Sequence, residues 1–477
     1  CILKELTRMD ARSTALHPAA WALSLLALAG CSSLQKPQVD PGLALFNEAM
    51  TLPALDHTIL RNGDRVAYSV DLQQNPISVQ FDAYCTQGPG RMFYPTRSGL
   101  RAFTPSPATG VDLPTVQAQQ LQQSAQLQSV CKARPVPDWR MLQTSADQGW
   151  LLIDRNSVQQ QSSQISAWVA QDYLHYQVAK NASLFTQRQE RLTLDCTRRT
   201  ITLMSQFNLD ETRQMINGEI RRQFKPQALD QASGEHAQLF KALCQAPVEL
   251  THLPACKARQ PLPPVASATN ANPAVLAAIR ALGLPAPTRT LSELAYDYDA
   301  VLFNNTRVGD QTKQAFISVD NASGQTLVQT RDSALGFNQE LTFQGLFDLD
   351  SQGLDRKTGS DKVKTRLLVG LSFQGDWRNL PLASEVSYTQ TWSKSINPDG
   401  SPSSETSEPR TVTCKVAREI PAATLTPDLK GQAQVLDCVQ MKGWTYQAAY
   451  LSDYGLFIKL RENALVAQWN WHLKSVK

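Results

Sequence analysis

Cysteine is the residue type whose placement in this chain speaks most directly to chemistry. Nine occur among 477 residues, and their surroundings sort them. Cys31 ends the run Trp21 to Gly30, which is apolar, short and finished by small residues, and the polar pair Ser32 and Ser33 follows. A thiol at the end of such a run is placed for acylation and chain cleavage, not for catalysis. Cys85, Cys131, Cys196, Cys244, Cys256, Cys414 and Cys438 stand far apart and form no CxxC pair, which argues against zinc-ribbon and thioredoxin-like sites. In an oxidising compartment they read as disulfides with one thiol left over.

Other chemistries lack their residues. The sequence holds no G-x-S-x-G elbow, H-E-x-x-H helix, Walker loop or G-x-G-x-x-G fingerprint. Between Asp348 and Asp361, Asp348, Asp350 and Gly353 fall at the first, third and sixth places of a calcium loop. Gln352 then occupies the fifth and Gly359 the twelfth, where a bidentate Glu is needed. His57, His175, His236, His252 and His472 are dispersed. Asp154 and Ser157, after a short apolar strand, have the types that cap a turn through their side-chain oxygens. Trp150 and Trp168 read as core aromatics before ligand platforms. No catalytic residue, metal site or cofactor is expected. The net charge of +4 comes from scattered Lys and Arg, so no nucleic-acid partner is expected either.

The tetrapeptide Leu28-Ala29-Gly30-Cys31 resembles the lipobox of bacterial lipoproteins. The resemblance implies that Cys31 is alkylated by a diacylglycerol, becomes the first residue of the mature protein, and carries palmitate-like chains into a membrane. The apolar run is shorter than the ~20 residues a spanning helix needs. Met9 and the basic Arg12 begin a sensible signal peptide, which makes Cys1 to Arg8 an upstream extension. Residues 1–30 are therefore expected to be removed, and 31–42 to form a lipidated, proline-containing tether. Ser32 rather than Asp after the cysteine implies the outer membrane.

Two stretches of the mature chain look like copies of one unit. ISVQFDAYC ends at Cys85 and SAQLQSVCKARPV carries Cys131; QERLTLDC ends at Cys196 and HAQLFKALCQAPV carries Cys244. The spacing and the Ala-Gln-Leu context repeat. Alternation before Cys85 and Cys196 predicts strands, and the spacing over Gln122–Val130 and Glu235–Leu243 predicts helices. Each copy, 43–136 and 137–259, would then staple a strand to a helix by one disulfide. Cys256 is the remainder: it competes with Cys244 for Cys196, links to a partner chain, or stays reduced, and the repeated context favours Cys244 for the bridge.

The second copy resembles the surface-adhesin protein E family of bacterial lipoproteins over about Trp139 to Pro247. Trp150, Ile153, Asp154, Ser157, Trp168, Tyr173, Leu194, Asp195, Cys196 and Cys244 carry the resemblance. It implies an antiparallel sheet with a packed helix, a Cys196–Cys244 bridge and display on an outer membrane. Some members bind host matrix proteins, but their binding stretches have no clear counterpart here. The chain departs from the family by what reads as an inserted loop near Val178 to Gln189, and the first copy lacks the Trp and Ile-Asp signature.

Residues 260–290 read as a Pro- and Ala-rich linker and a short helix, with Asn272 as N-cap, Pro273 at the first helical position and Gly283 as the stop. Across 291–477, β-like runs alternate with short polar turns, the pattern of an all-β antiparallel sheet, sandwich or open barrel. Val386, Tyr388 and Trp392 share a face, as do Trp469 and Trp471. Cys414 and Cys438 would close a turning loop, and Ser395–Arg410 is polar enough for an exposed tip. This region resembles uncharacterised envelope lipoproteins of Gram-negative bacteria, which implies a compartment but no activity.

The expected molecule is mostly β with some α: two α+β repeats, then an all-β domain. Its expected role is binding or surface adhesion without catalysis, held to the membrane by lipid and directed at a host matrix protein or an envelope protein. A periplasm-facing structural or assembly lipoprotein is the alternative, and an unrecognised hydrolase ranks below both.

Overall fold

The computed structural model describes residues 41–477 apart from 73–76, 97–98, 103–111, 146–148, 180–182, 246–248, 303–306, 333–335, 355–362, 395–403, 442 and 465–466. The signal segment, Cys31 and most of the tether lie outside the described residues, as do much of the 395–410 tip and the end of the acidic stretch.

The first unit is a five-stranded antiparallel sheet in chain order: β1 (Leu60–Asn62), β2 (Arg65–Asp71), β3 (Ser78–Tyr84), β4 (Arg91–Thr96) and β5 (Gly99–Ala102). Alternate residues of β2 and β3 point one way, so Val66, Tyr68, Val70, Val79, Phe81 and Ala83 are buried. Helices α1 (Pro41–Ala49), α2 (Thr115–Gln122) and α3 (Ala125–Ala133) add Phe46, Leu121, Leu127 and Val130 to that core. The predicted single helix is broken at Gln123–Ser124, because Ser124 caps a new start by accepting the Leu127 N–H. A disulfide joins Cys85 to Cys131.

The second unit repeats this plan with longer strands: β6 (Trp139–Ser145), β7 (Gly149–Asp154), β8 (Gln159–Gln161), β9 (Gln164–Val178), β10 (Leu184–Asp195), β11 (Thr200–Leu209), β12 (Met215–Ile220) and β13 (Gln227–Ala228). Helix α4 (Gly234–Phe240) runs into a π turn over Lys241–Gln245. Leu239, Phe240 and Leu243 pack on Ile153, Val169, Leu192 and Ile201, and a disulfide joins Cys196 to Cys244. The loop expected near Val178–Gln189 is instead the far end of a long hairpin, with Leu184 opposite Val178 and Gln187 opposite Asp172.

The linker is extended but not loose. Leu262 donates its N–H to Leu174 O (2.8 Å) and accepts that of Tyr176 (3.0 Å). Further on, Gln339 accepts the Ser267 N–H (2.9 Å) and Asp350 that of Asn270 (2.8 Å). Helix α5 (Pro273–Ala281) begins as predicted, with Asn272 accepting the Ala274 N–H, and Gly283 follows it at φ +57°.

Twelve further strands, β14 (Glu293–Leu302) to β25 (Ala467–Val476), form a closed antiparallel ring rather than a sandwich. Closure comes from β14 pairing with β25 along its length, Leu294 opposite Val476 and Leu302 opposite Ala467. Cys414 and Cys438 are joined and lie opposite one another on β21 (Arg410–Pro421) and β22 (Gln432–Met441). The chain between them is therefore mostly hairpin, not the turning loop expected. Val386 and Tyr388 are core residues with Phe343, Trp377 and α5, and Trp392 packs at the edge of the same cluster.

Candidate functional site

Asp154 ends β7 and starts a 3-10 turn over Arg155–Ser157. Its side chain is fully buried. Oδ1 accepts the Asn156 N–H (3.1 Å), as a turn cap should, and also the Asp138 N–H (2.8 Å). Oδ2 pairs with the guanidinium of Arg134, which lies 5.2 Å from the Trp168 ring centre. Ser157 Oγ accepts the Trp168 N–H (2.8 Å) and donates to Asp154 O (2.8 Å). Burial lowers the pKa of Arg134 against the pull of Asp154. Burial, with Arg134 nearby, pushes Arg191 down to about 10. The carboxylate of Asp154 and the hydroxyl of Ser157 fix the segment that leaves α3 against the second sheet. Asp154 and Ser157 are structural residues, and Trp168 is a core aromatic.

A second buried carboxylate was not singled out in the sequence. Asp172 meets Arg213 Nη2 at 2.6 Å, Arg259 Nε at 3.1 Å and Gln187 Nε2 at 3.1 Å. Arg259 also donates to Asp172 O (2.7 Å) and sits 4.0 Å from the centre of the Trp150 ring. Gly149 makes room: at φ +103° any Cβ would stand 2.1 Å from Asp172 O. The remaining thiol, Cys256, is free. Burial first, then the charge of Asp172, push its pKa up to about 11, so it is protonated and a poor nucleophile. The sequence signal for this node is weak, because Asp172, Arg213 and Arg259 come together only through the fold.

Beside α4, the β9–β10 face carries a charged cluster. His236 Nε2 lies 2.7 Å from Glu190 Oε2, and Arg188 bridges Glu190 (3.2 Å) and Glu235 (2.9 Å). The Arg188 guanidinium is 5.9 Å from the ring centre of Tyr173, whose hydroxyl burial pushes up to about 12. Next to this cluster a cleft of about 450 Å³ is lined by Gln143, Leu151, Gln171, Arg188, Glu235 and Gln238, among others. Ser233 is the nearest hydroxyl in sequence to the imidazole, but it caps α4 by accepting the His236 N–H (3.2 Å). No hydrogen bond joins it to the ring among the described residues. The arrangement is a fixed array of donors and acceptors, suited to holding a polar partner.

The other candidates are scattered. His252 pairs with Glu249, His472 with Asp299, and His175 Nδ1 lies 2.7 Å from Pro263 O. Asp348 and Asp350 stand in β18 (Phe347–Leu354), a strand rather than a metal-binding loop. Among the described residues no three His, Cys, Asp or Glu side chains gather as a ligand set, and no helix is long and apolar enough to cross a membrane. No curated protein and no solved structure matches the chain. Residues 139–245, which span β6 to the π turn after α4, match the model of the surface-adhesin protein E family, and this part of the chain is adhesin-like.

Proposed function

We propose that the chain is a lipid-anchored outer-membrane protein that binds a partner at the cell surface and performs no catalysis. The adhesin match over the second sheet carries this reading. In it, Cys31 is the acylated first residue of the mature protein and 31–42 its tether. Residues 43–136 and 137–259 are two modules of related build, 260–290 connects them to the rest, and 291–477 is the C-terminal β module. The polar cleft beside α4 supports binding, since its charged groups are held in place and no nucleophile is paired with a base there among the described residues. A polar segment of a host matrix protein is the partner it suits.

Exposed faces of the C-terminal ring favour water over lipid. On β21, exposed Thr411, Thr413 and Lys415 alternate with buried Val412, Cys414 and Val416. Asp297 pairs with Lys474 (2.8 Å) on the solvent side of β14 and β25. A lipid-facing barrel carries the opposite pattern, so attachment falls to the acyl chains, at about 0.8 kcal/mol per buried methylene. Protease treatment of intact cells tests the proposal. The native protein should be digested, and a Cys31→Ala variant should leave the membrane fraction. Complete protection until the outer membrane is opened would refute surface display and favour a periplasm-facing assembly role, checked by co-purification with an envelope complex in mild detergent.

A further inference from the structure

One end of the C-terminal ring carries a cleft that the adhesin reading leaves unused. It lies where two cores of that region meet: Ile279 and Phe343 belong to the cluster around α5, and Leu456 to the cluster that includes Leu294 and Leu473. Its walls are the end of α5, the hairpin of β15 (Arg307–Val319) and β16 (Thr326–Asp332), the turn after β17 (Gly336–Phe343), and the chain from Leu284 to Ser292. Backbone bonds pin that last stretch in place. Thr288 and Arg289 donate their N–H groups to Asp453 O (2.8 and 2.9 Å), and Ser292 donates to Lys477 O (2.7 Å). Pro285 and Pro287 line the cleft without an N–H to satisfy.

The lining is mostly apolar. Leu284, Leu291 and Ile317 are half-buried and Val319 is 67% exposed, so apolar surface is left facing water along one groove. The ionisable side chains of the lining are Arg280, Arg289, Lys477 and Tyr454, with no Asp or Glu among them. Arg289 is paired with Asp453 (3.3 Å) and Lys477 with Glu293 (2.9 Å), and both acids stand outside the lining. Arg280, exposed on the last turn of α5, has no carboxylate within ion-pair distance among the described residues. One unmatched cation thus stands beside an apolar groove.

Size narrows the choice of ligand. The cleft measures about 830 Å³, within the range of small-molecule sites. A methylene takes up about as much room as a water in the liquid, ~30 Å³, so one sixteen-carbon chain needs roughly 480 Å³ and two need roughly 960 Å³. One such acyl chain fits and a pair does not. The single unmatched charge calls for one anionic head, and a lining without acids does not repel it. We propose that this cleft binds a free long-chain fatty acid, with its carboxylate on Arg280 and its chain along Leu284, Leu291, Ile317 and Val319. The site is separate from the partner cleft on the second sheet and does not depend on that reading.

Photolabelling of the full-length protein in phosphatidylcholine vesicles with a diazirine-bearing palmitate tests this. Labelled peptides should map to residues 279–292 and 317–326, which line the cleft. Excess palmitate should cut that labelling at least fivefold, and an equal excess of methyl palmitate, which has the same chain but no charge, less than twofold. Arg280→Gln, a change at an exposed position, should reduce labelling at least fivefold and leave acid and ester competing alike. Labelling confined to other regions, labelling that no excess removes, equal competition by the ester in the native protein, or full labelling of Arg280→Gln would each overturn the proposal. Labelling that appears only in a Cys31→Ala variant would overturn it too, since the occupant would then be the protein's own acyl chain. The comparison of acid and ester on the native protein needs no variant to fold.

Discussion

At the scale of single residues, the adhesin signature is spent on architecture. Asp154 holds a buried Arg134 that has left α3 and must pass under the second sheet, and the same carboxylate satisfies two backbone N–H groups. Removing it strands a buried cation as well as those donors. Breaking a buried pair from one side costs about 3–5 kcal/mol, so Asp154→Ala should lose about that much in urea unfolding. Asp154→Asn, which keeps an acceptor for the backbone, should lose less. Equal stability of Asp154→Ala and the native protein would show that Arg134 finds water there. The turn-capping part of this role was legible, because Asp-Arg-Asn-Ser after an apolar strand has local meaning. The ion pair was not, since nothing near Arg134 in the sequence points to Asp154. The Asp172 node is illegible for the same reason, since Arg213 stands just before β12 and Arg259 at the end of the second unit.

At the scale of elements, local periodicity located strands well where one face meets water and poorly where both are covered. The stretch near Val178–Gln189 reads as an inserted loop on its Gln and Asn content, yet Thr186, Gln187 and Gln189 are buried. They lie in the far part of the β9–β10 hairpin, which is held between neighbours. There Tyr176 and Leu184 form one cluster with Phe316 and Phe337 of the C-terminal ring, and Arg331 of the ring pairs with Glu211 (2.7 Å). The far end of this hairpin thus helps to join the adhesin-like sheet to the C-terminal ring. Leu184→Asp puts a charge into that cluster and should expose the 260–271 connector. Elastase cleavage near Val265 should accelerate severalfold while far-ultraviolet dichroism stays native; an unchanged cleavage rate would mean that the linker hydrogen bonds alone hold the two together. Closure of the ring was likewise hidden, because it depends on β14 finding β25 at the other end of the region, and a local pattern describes a sandwich and a ring alike.

At the scale of the whole molecule, the first and second units meet across a seam in which Leu60 packs on Trp168, Phe207 and Leu209. His57 sits in it. Its carbonyl accepts the Ser205 hydroxyl of β11, its ring lies edge-on to Phe224 at 5.3 Å, and its Nε2 is buried without a partner among the described residues. Burial is the main force on the imidazole and lowers its pKa from 6.5, opposed by Asp71 and Asp56 and aided by Arg191. The folded seam therefore resists a proton that the unfolded chain accepts. Above pH 6.5 both states are neutral at this site and stability is indifferent to pH. As the pH falls below 6.5 the unfolded state takes up the proton first, and the fold loses stability until the folded pKa is also passed. Thermal unfolding followed between pH 7.5 and 5 should show this decline in the native protein. His57→Gln, which does not titrate, should show a shallower one, with the difference confined to pH values below 6.5. Parallel profiles for the two proteins would mean that the seam admits enough water to hydrate the imidazolium, and that the two units are not coupled to pH through this residue.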